Sequence, residues 1–416
     1  MIKTHFSSTW MQLPLRSLCS HISSGGTPSR KIQSYFVKDG HLWVKSKELL
    51  DGSIYTTEET ISDEAIRNSS AKIYSENTVL LAMYGANVGQ LAILRRKAAV
   101  NQAICAMVVN ENVADYRFLF YALLYRRKGL ISKAFGVAQQ NLNQDLIKSF
   151  NIPCPPLSTQ RKIAAILSAY DDLIENNTRR IAILEEMARA LYREWFVHFR
   201  FPGHEKIAMV ESALGMIPEG WEVVKLGDVC AITMGQSPSS QFYNTGGEGL
   251  PFHQGVADFG SRFPEDRVYC TVENRIAEVG DILFSVRAPV GRINIANKKI
   301  VIGRGLSAIR SKNGNQAFIL QQLKELFQEE DSMGNGAIFK SVTKDDMHGI
   351  KMIQPSLEII SAYELHAQPI FSMLEVLTNK NSNLRQTRDL LLPKLMAGEI
   401  DVEGMEVVAE AIAETA

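Results

Sequence analysis

The side chains best suited to chemistry in this chain are amides, hydroxyls and guanidiniums set in loops. Thr27, Arg30, Tyr84, Asn87, Gln90, Arg95, Arg96, Asn101 and Gln102 lie in Gly-, Pro- and Asn-punctuated stretches of the first half, followed by Gln139 and Gln140. Gln236, Ser237, His253, Gln254, Arg287, Arg292 and Arg304 lie in similar stretches of the second half. Arg grips guanine with two hydrogen bonds, Asn and Gln do the same for adenine, and Lys and Arg neutralise phosphates. Any one of these residues alone is more often a solvated loop residue than a base contact. Together they point to nucleic-acid binding.

Turnover is harder to place. There is no G-x-x-x-x-G-K-[ST], no H-E-x-x-H and no His/Cys cluster at metal spacing, and the eight His are scattered. Gly303-Arg-Gly305-Leu-Ser-Ala308 fits G-x-G-x-x-A, but a dinucleotide site needs a long helix there, and Asn313-Gly314 stops the run. Its counterpart in the first half, Asn101-Gln-Ala-Ile-Cys-Ala106, has no glycine. The sequence therefore predicts no catalytic residue, no metal ligand and no cofactor held by this chain.

Those loops belong to a duplicated framework. Trp10-Met-Gln-Leu-Pro-Leu15 with Cys19 and Ile22 returns as Trp221-Glu-Val-Val-Lys-Leu226 with Cys230 and Ile232. Turn clusters follow at Gly25-Gly26-Thr27-Pro28-Ser29 and Gly235-Gln236-Ser237-Pro238-Ser239. Farther on, Leu142-Asn-Gln-Asp145 matches Val342-Thr-Lys-Asp345 at an offset of 200, far too long for a solenoid repeat. Each copy holds short apolar runs that read as strands, such as 79–83, 91–94, 104–109 and 299–302, with helical patches at 116–125 and 317–328. That is an α+β pattern. At an offset of 202, Tyr84-Gly85-Ala86-Asn87 falls on Val286-Arg287-Ala288-Pro289, Gln90 on Arg292, and Asn101-Gln102 on Gly303-Arg304.

Each copy ends in a long heptad-patterned stretch. Ile163, Tyr170, Asn177, Leu184 and Leu191 form one row of the first, and Leu167, Ile174, Ile181, Ala188 and Trp195 the other. Tyr363, Ile370, Leu377, Leu384, Leu391 and Ala367, Leu374, Asn381, Arg388, Leu395 form the second seam. Antiparallel pairing with Asn177 opposite Asn381 makes paired numbers sum to 558, so that Ile163 faces Leu395 and Trp195 faces Tyr363. Pro369 removes a backbone donor and is expected to mark the start of the regular second helix, with Pro393 near its end. The boundaries read 1–157 for a first domain, 158–200 for a central helix and 201–218 for a linker. A second domain follows at 219–356, a C-terminal helix at 357–398 and an acidic tail at 399–416.

Lys+Arg and Asp+Glu both number 45, so the chain is neutral overall and any grip on nucleic acid must come from local patches or partners. Five widely spaced cysteines without C-x-x-C, no apolar run of membrane length and no signal-peptide pattern predict a cytoplasmic protein.

Pro155-Pro-Leu-Ser-Thr-Gln-Arg-Lys-Ile163 running into Leu173-Ile-Glu-Asn-Asn-Thr-Arg-Arg180 and Leu191-Tyr-Arg-Glu-Trp-Phe196 resembles the central helix of specificity subunits of type I restriction-modification systems. Arg388-Asp-Leu-Leu-Leu-Pro-Lys-Leu-Met-Ala-Gly-Glu-Ile400 resembles the end of that family's C-terminal helix. The resemblance implies two tandem target-recognition domains joined by two long antiparallel coiled-coil helices in a pseudo-twofold arrangement. Each domain would read one half of a split sequence in double-stranded DNA. It implies two modification (methyltransferase) subunits and restriction (endonuclease/translocase) subunits as partners, with S-adenosylmethionine, ATP and Mg used by those partners. The chain itself would be non-catalytic, and no membrane is involved. A protein adaptor built on the coiled coil, without DNA, is the alternative.

Overall fold

The computed structural model describes residues 10–133, 141–328 and 341–405. Gln139 and Gln140, and the tail beyond residue 405, lie outside the described residues. The chain divides into two compact units, Met1–Asn176 with Asn381–Ala416, and Asn177–Lys380.

In the first unit, Val79–Ala82, Leu91–Leu94 and Ile104–Val109 are central strands of a five-stranded sheet flanked by Cys19–Ser24 and Gly52–Ile54. Their runs are apolar at nearly every position because both faces are covered. Alternate residues serve different cores, as the two-residue strand period requires. Val79, Leu81, Leu91, Ile93, Cys105 and Met107 pack with Phe118 and Leu119 of the helix Tyr116–Ile131. Leu80, Ala82, Ala92, Leu94, Ile104 and Ala106 pack with Val44, Tyr74 and Val100 of a second five-stranded sheet. In that second sheet His41–Val44 pairs in parallel with Ala98–Val100.

The second unit repeats the plan. Ile282–Ser285, Ile293–Ile295 and Leu306–Ser311 join Cys230–Met234 in a four-stranded sheet under the helix Gln316–Leu326. Leu250–His253 pairs in parallel with Ile300–Ile302. Matching hydrogen bonds show the duplication atom by atom: Gly26 N donates to Val100 O at 2.9 Å, and Gln236 N to Ile302 O at 3.0 Å. The preceding glycines sit where the backbone crosses another strand. A Cβ on Gly25 would lie 1.8 Å from Val100 O, and one on Gly235 would lie 2.1 Å from Gly303 O.

Leu157–Tyr192 and Leu357–Met396 form the two long helices, and every residue of both heptad rows is buried or half-buried. They run antiparallel within each unit. In the first unit Arg388 Nη1 donates to Asp171 Oδ1 at 2.5 Å and Asn381 Nδ2 to Ile174 O at 3.3 Å. In the second, Trp195 and Tyr363 face each other with ring centroids 6.0 Å apart, and their numbers sum to 558.

Two expectations need correction. The second helix begins at Leu357 and runs through Pro369, while Pro393 lies in its last turn, close to the end at Met396, as expected. A helical proline orphans the carbonyl four residues back. Here those carbonyls belong to Leu365 and Asp389, both exposed residues, so water can replace the lost donor. The connecting segment 201–218 is also more than a linker, because Met209–Ser212 and Gly215–Pro218 pair as an antiparallel hairpin.

Candidate nucleic-acid interface

In the first unit, the parallel strand pairing brings distant loops to one neighbourhood. Asn101 N donates to Val44 O at 2.9 Å, which places Asn101 and Gln102 beside Lys45 and Ser46. The Thr27 hydroxyl bonds the Gln102 side chain, Asn87 Nδ2 donates to Ser46 O at 3.1 Å, and Trp43 Nε1 donates to Gly26 O at 3.1 Å. Arg30 stacks on Phe36 with its guanidinium 4.3 Å from the ring centroid and pairs with Glu59 at 2.7 Å. Thr27, Arg30, Asn87, Asn101 and Gln102 are therefore gathered together. Tyr84 follows strand Val79–Ala82 and is half-buried, and burial raises its hydroxyl above the ordinary tyrosine range.

The other three first-half candidates are structural or remote. Gln90 faces the Asp51 carboxylate, to which its amide nitrogen donates at 2.9 and 3.0 Å in the orientation its neighbours require. Arg127 holds the same carboxylate, so Gln90 belongs to a buttress under the loop. Arg95 donates to Ser53 Oγ at 3.0 Å and to the Tyr116 hydroxyl at 3.1 Å, and it is drawn electrostatically to Asp172 of the long helix. Arg95 and exposed Arg96 also follow the far end of strand Leu91–Leu94, about 13 Å of strand away from Gln90.

In the second unit, Ser237 is the hub. Its hydroxyl is 2.8 Å from Gln254 Nε2 and accepts from Arg304 N at 3.2 Å. Gly305 N donates to Gln254 O at 3.1 Å, and Val286 N donates to Gly305 O at 2.9 Å. Gln236, Ser237, Gln254, Arg304 and Arg287 thus converge. Arg292 stands across the same turn, its carbonyl accepting from Ser285 N at 3.0 Å. His253 does not belong to the surface. Its side chain is 0% exposed, wedged between Asp258 and Asp266, and Nε2 lies 3.2 Å from Asp266 Oδ1. Desolvation lowers its pKa despite both carboxylates, so it is a neutral strut behind Gln254.

The strands also correct the loop alignment. Met83 N donates to Ala103 O and Val286 N to Gly305 O, so Met83 corresponds to Val286 and Tyr84 to Arg287. The offset is 203 there and returns to 202 at Gln90 and Arg292, which means the second loop is one residue shorter. Lys45, which sequence reasoning missed, occupies the place of Gln254. The available signal was the polar stretch after an apolar run in both copies, Val44-Lys45-Ser46-Lys47 and His253-Gln254, at an offset of 209.

Nothing in this arrangement suits nucleophilic chemistry. Burial pushes the thiols of Cys19, Cys105 and Cys230 up to about 12, so they stay protonated at neutral pH. Gly303 and Gly305 precede strand Leu306–Ser311, so there is no helix N-terminus at the G-x-G-x-x-A motif to receive a pyrophosphate. Among the described residues no group of acidic, His or Cys side chains could hold a metal ion. No helix among them is long and apolar enough to cross a membrane.

The chain is similar to a Methanocaldococcus jannaschii protein provisionally assigned as the type I restriction enzyme MjaX specificity subunit. Identity is 35% over 301 residues, covering 71% of this chain and 70% of that one. It is 28% identical over 398 residues to the type I restriction enzyme MjaIX specificity subunit of the same organism, covering 92% and 91%. The crystal structure of a type I restriction-modification S subunit from M. genitalium shares the fold, with a TM-score of 0.60 at 17% identity over 95% of this chain and 97% of that one. The family model for the type I restriction modification DNA specificity domain matches twice, at residues 7–186 and 218–392, and the chain belongs to that family.

Proposed function

We propose that this chain reads a bipartite, asymmetric DNA sequence and delivers partner subunits to it, without catalysis of its own. One observation carries the reading: two copies of one framework present the same loops with different side chains. The first copy offers Thr27, Asn87, Asn101 and Gln102, amides and a hydroxyl suited to adenine. The second places Arg287 where the first has Tyr84, and Arg304 where it has Gln102, guanidiniums suited to guanine or phosphate. Unlike side chains favour unlike half-sites.

The long helices suit the role of a ruler. The 33 residues from Ile163 to Trp195 extend about 50 Å at 1.5 Å per residue. Two modification subunits, using S-adenosylmethionine, and restriction subunits, using ATP and Mg, complete the proposed cytoplasmic assembly. Partner-borne contacts to phosphate would account for the neutral charge of this chain. The test is binding of the chain, assembled with its modification subunits, to duplexes across a salt series. The expected result is tight, salt-dependent binding to one split sequence. Equal binding to all duplexes, or to none, would overturn it.

A further inference from the structure

The first unit's reading face carries a chain of alternating charges. Arg30 pairs with Glu59 at 2.7 Å, Glu59 with Lys45 at 2.8 Å, Lys45 with Glu58 at 2.7 Å, and Glu58 with Lys47 at 2.7 Å. Lys45 is only 15% exposed, so its ammonium is fixed between the two glutamates. Glu48 braces the arrangement by accepting from Lys45 N at 2.7 Å and Glu58 N at 2.9 Å. The position is decisive. Ser46, between the two lysines, binds Asn87, and Trp43, just before them, binds Gly26 beside Thr27.

We propose that Glu58 and Glu59 are specificity-determining residues: they occupy Arg30, Lys45 and Lys47 as internal counter-ions, so that phosphates gain these cations only by displacing carboxylates. This rests on the DNA-reading function proposed above. Free cations on a reading face would bind any duplex, because phosphate contacts carry no sequence information. With the glutamates in place, taking up a phosphate exchanges one ion pair for another and gains little on arbitrary DNA. On the correct sequence, base contacts from residues such as Asn87 and Gln102 hold the duplex in register and tip the exchange. Discrimination then comes from suppressing wrong partners. Lys45 depresses the Glu58 carboxyl below its ordinary range, and Arg30, with Lys45, does the same for Glu59. In the second unit the place of Lys45 is taken by Gln254, which bonds Ser237.

The test compares the wild-type complex with Glu58→Gln/Glu59→Gln, binding the chain's own methylated sequence and a scrambled duplex between 50 and about 200 mM salt. The double variant should bind the scrambled duplex about 10-fold tighter at low salt, with a log–log salt slope about 2 units steeper. Affinity for the proper sequence should rise less, so the specificity ratio shrinks. Adding Lys47→Gln should return part of the extra slope, which separates released cations from altered folding. An unchanged scrambled-duplex affinity and slope overturns the proposal. So does loss of binding confined to the proper sequence, which would make the glutamates base contacts. If instead the wild-type complex shows no sequence preference, the DNA-reading function fails, while the salt slopes still report independently on whether the glutamates mask the cations.

Discussion

Asp171 of the central helix receives Arg388 of the C-terminal helix at 2.5 Å and the Tyr121 hydroxyl of the first domain at 2.5 Å. One carboxylate therefore ties both helices to the helix Tyr116–Ile131. Arg388 occupies a heptad seam position, where an apolar residue would ordinarily sit, and Asp171 is what makes that tolerable.

Removing that carboxylate should loosen the joint. Asp171→Ala removes the acceptor of the buried Tyr121 hydroxyl and leaves half-buried Arg388 with Asp389 alone, and the expected loss is about 2 kcal/mol of stability. Denaturant unfolding of the full chain measures it. The triple variant Asp171→Ala/Tyr121→Phe/Arg388→Leu should recover much of the loss, since no donor is then left without its acceptor. A triple variant as unstable as Asp171→Ala alone would contradict this role.

Arg95 and Arg304 look alike in sequence and should behave oppositely. Arg95→Ala should cost about 1 kcal/mol of stability and leave sequence preference unchanged, because its partners are Ser53 and Tyr116. Arg304→Ala should leave stability unchanged and weaken binding by about 1–3 kcal/mol, with preference relaxed in one half-site only. Competition binding with duplexes altered in one half at a time checks both. A uniform loss across sequences would make Arg304 a phosphate contact.

His253 gives the second unit an acid-sensitive element. Its folded pKa lies below the unfolded value of 6.5, so the unfolded chain takes up the proton first. Its contribution is complete above about pH 6.5 and is lost as pH falls from there through the lower folded pKa. Urea midpoints at pH 7.5 and 5.5 should differ more for wild type than for His253→Val, valine being the residue at the equivalent first-unit position, Val44. An equal pH dependence in the two proteins would count against it.

Much of this fold is written locally in the sequence. The heptad rows, the continuous apolar strands and the returning Trp-Leu-Cys-Ile pattern each depend on residues a few positions apart. What stayed hidden depends on pairing over distance. Val44 meets Val100 in a parallel pair, and that pairing, not any local pattern, brings Lys45 to the reading face. The burial of His253 likewise comes from carboxylates 5 and 13 residues farther on, held by loop geometry. Arg95 reads as a loop cation until the fold brings Ser53 and Tyr116 to it. The one-residue shortening after Ser285 shows only in the hydrogen-bond register.

Two unlike readers on one ruler should leave their mark on adenine methylation in DNA from cells expressing this chain with its modification subunits. Mapping that methylation should reveal a single split motif whose two halves differ and are separated by a fixed run of unspecified bases. A palindromic or uninterrupted motif would contradict it.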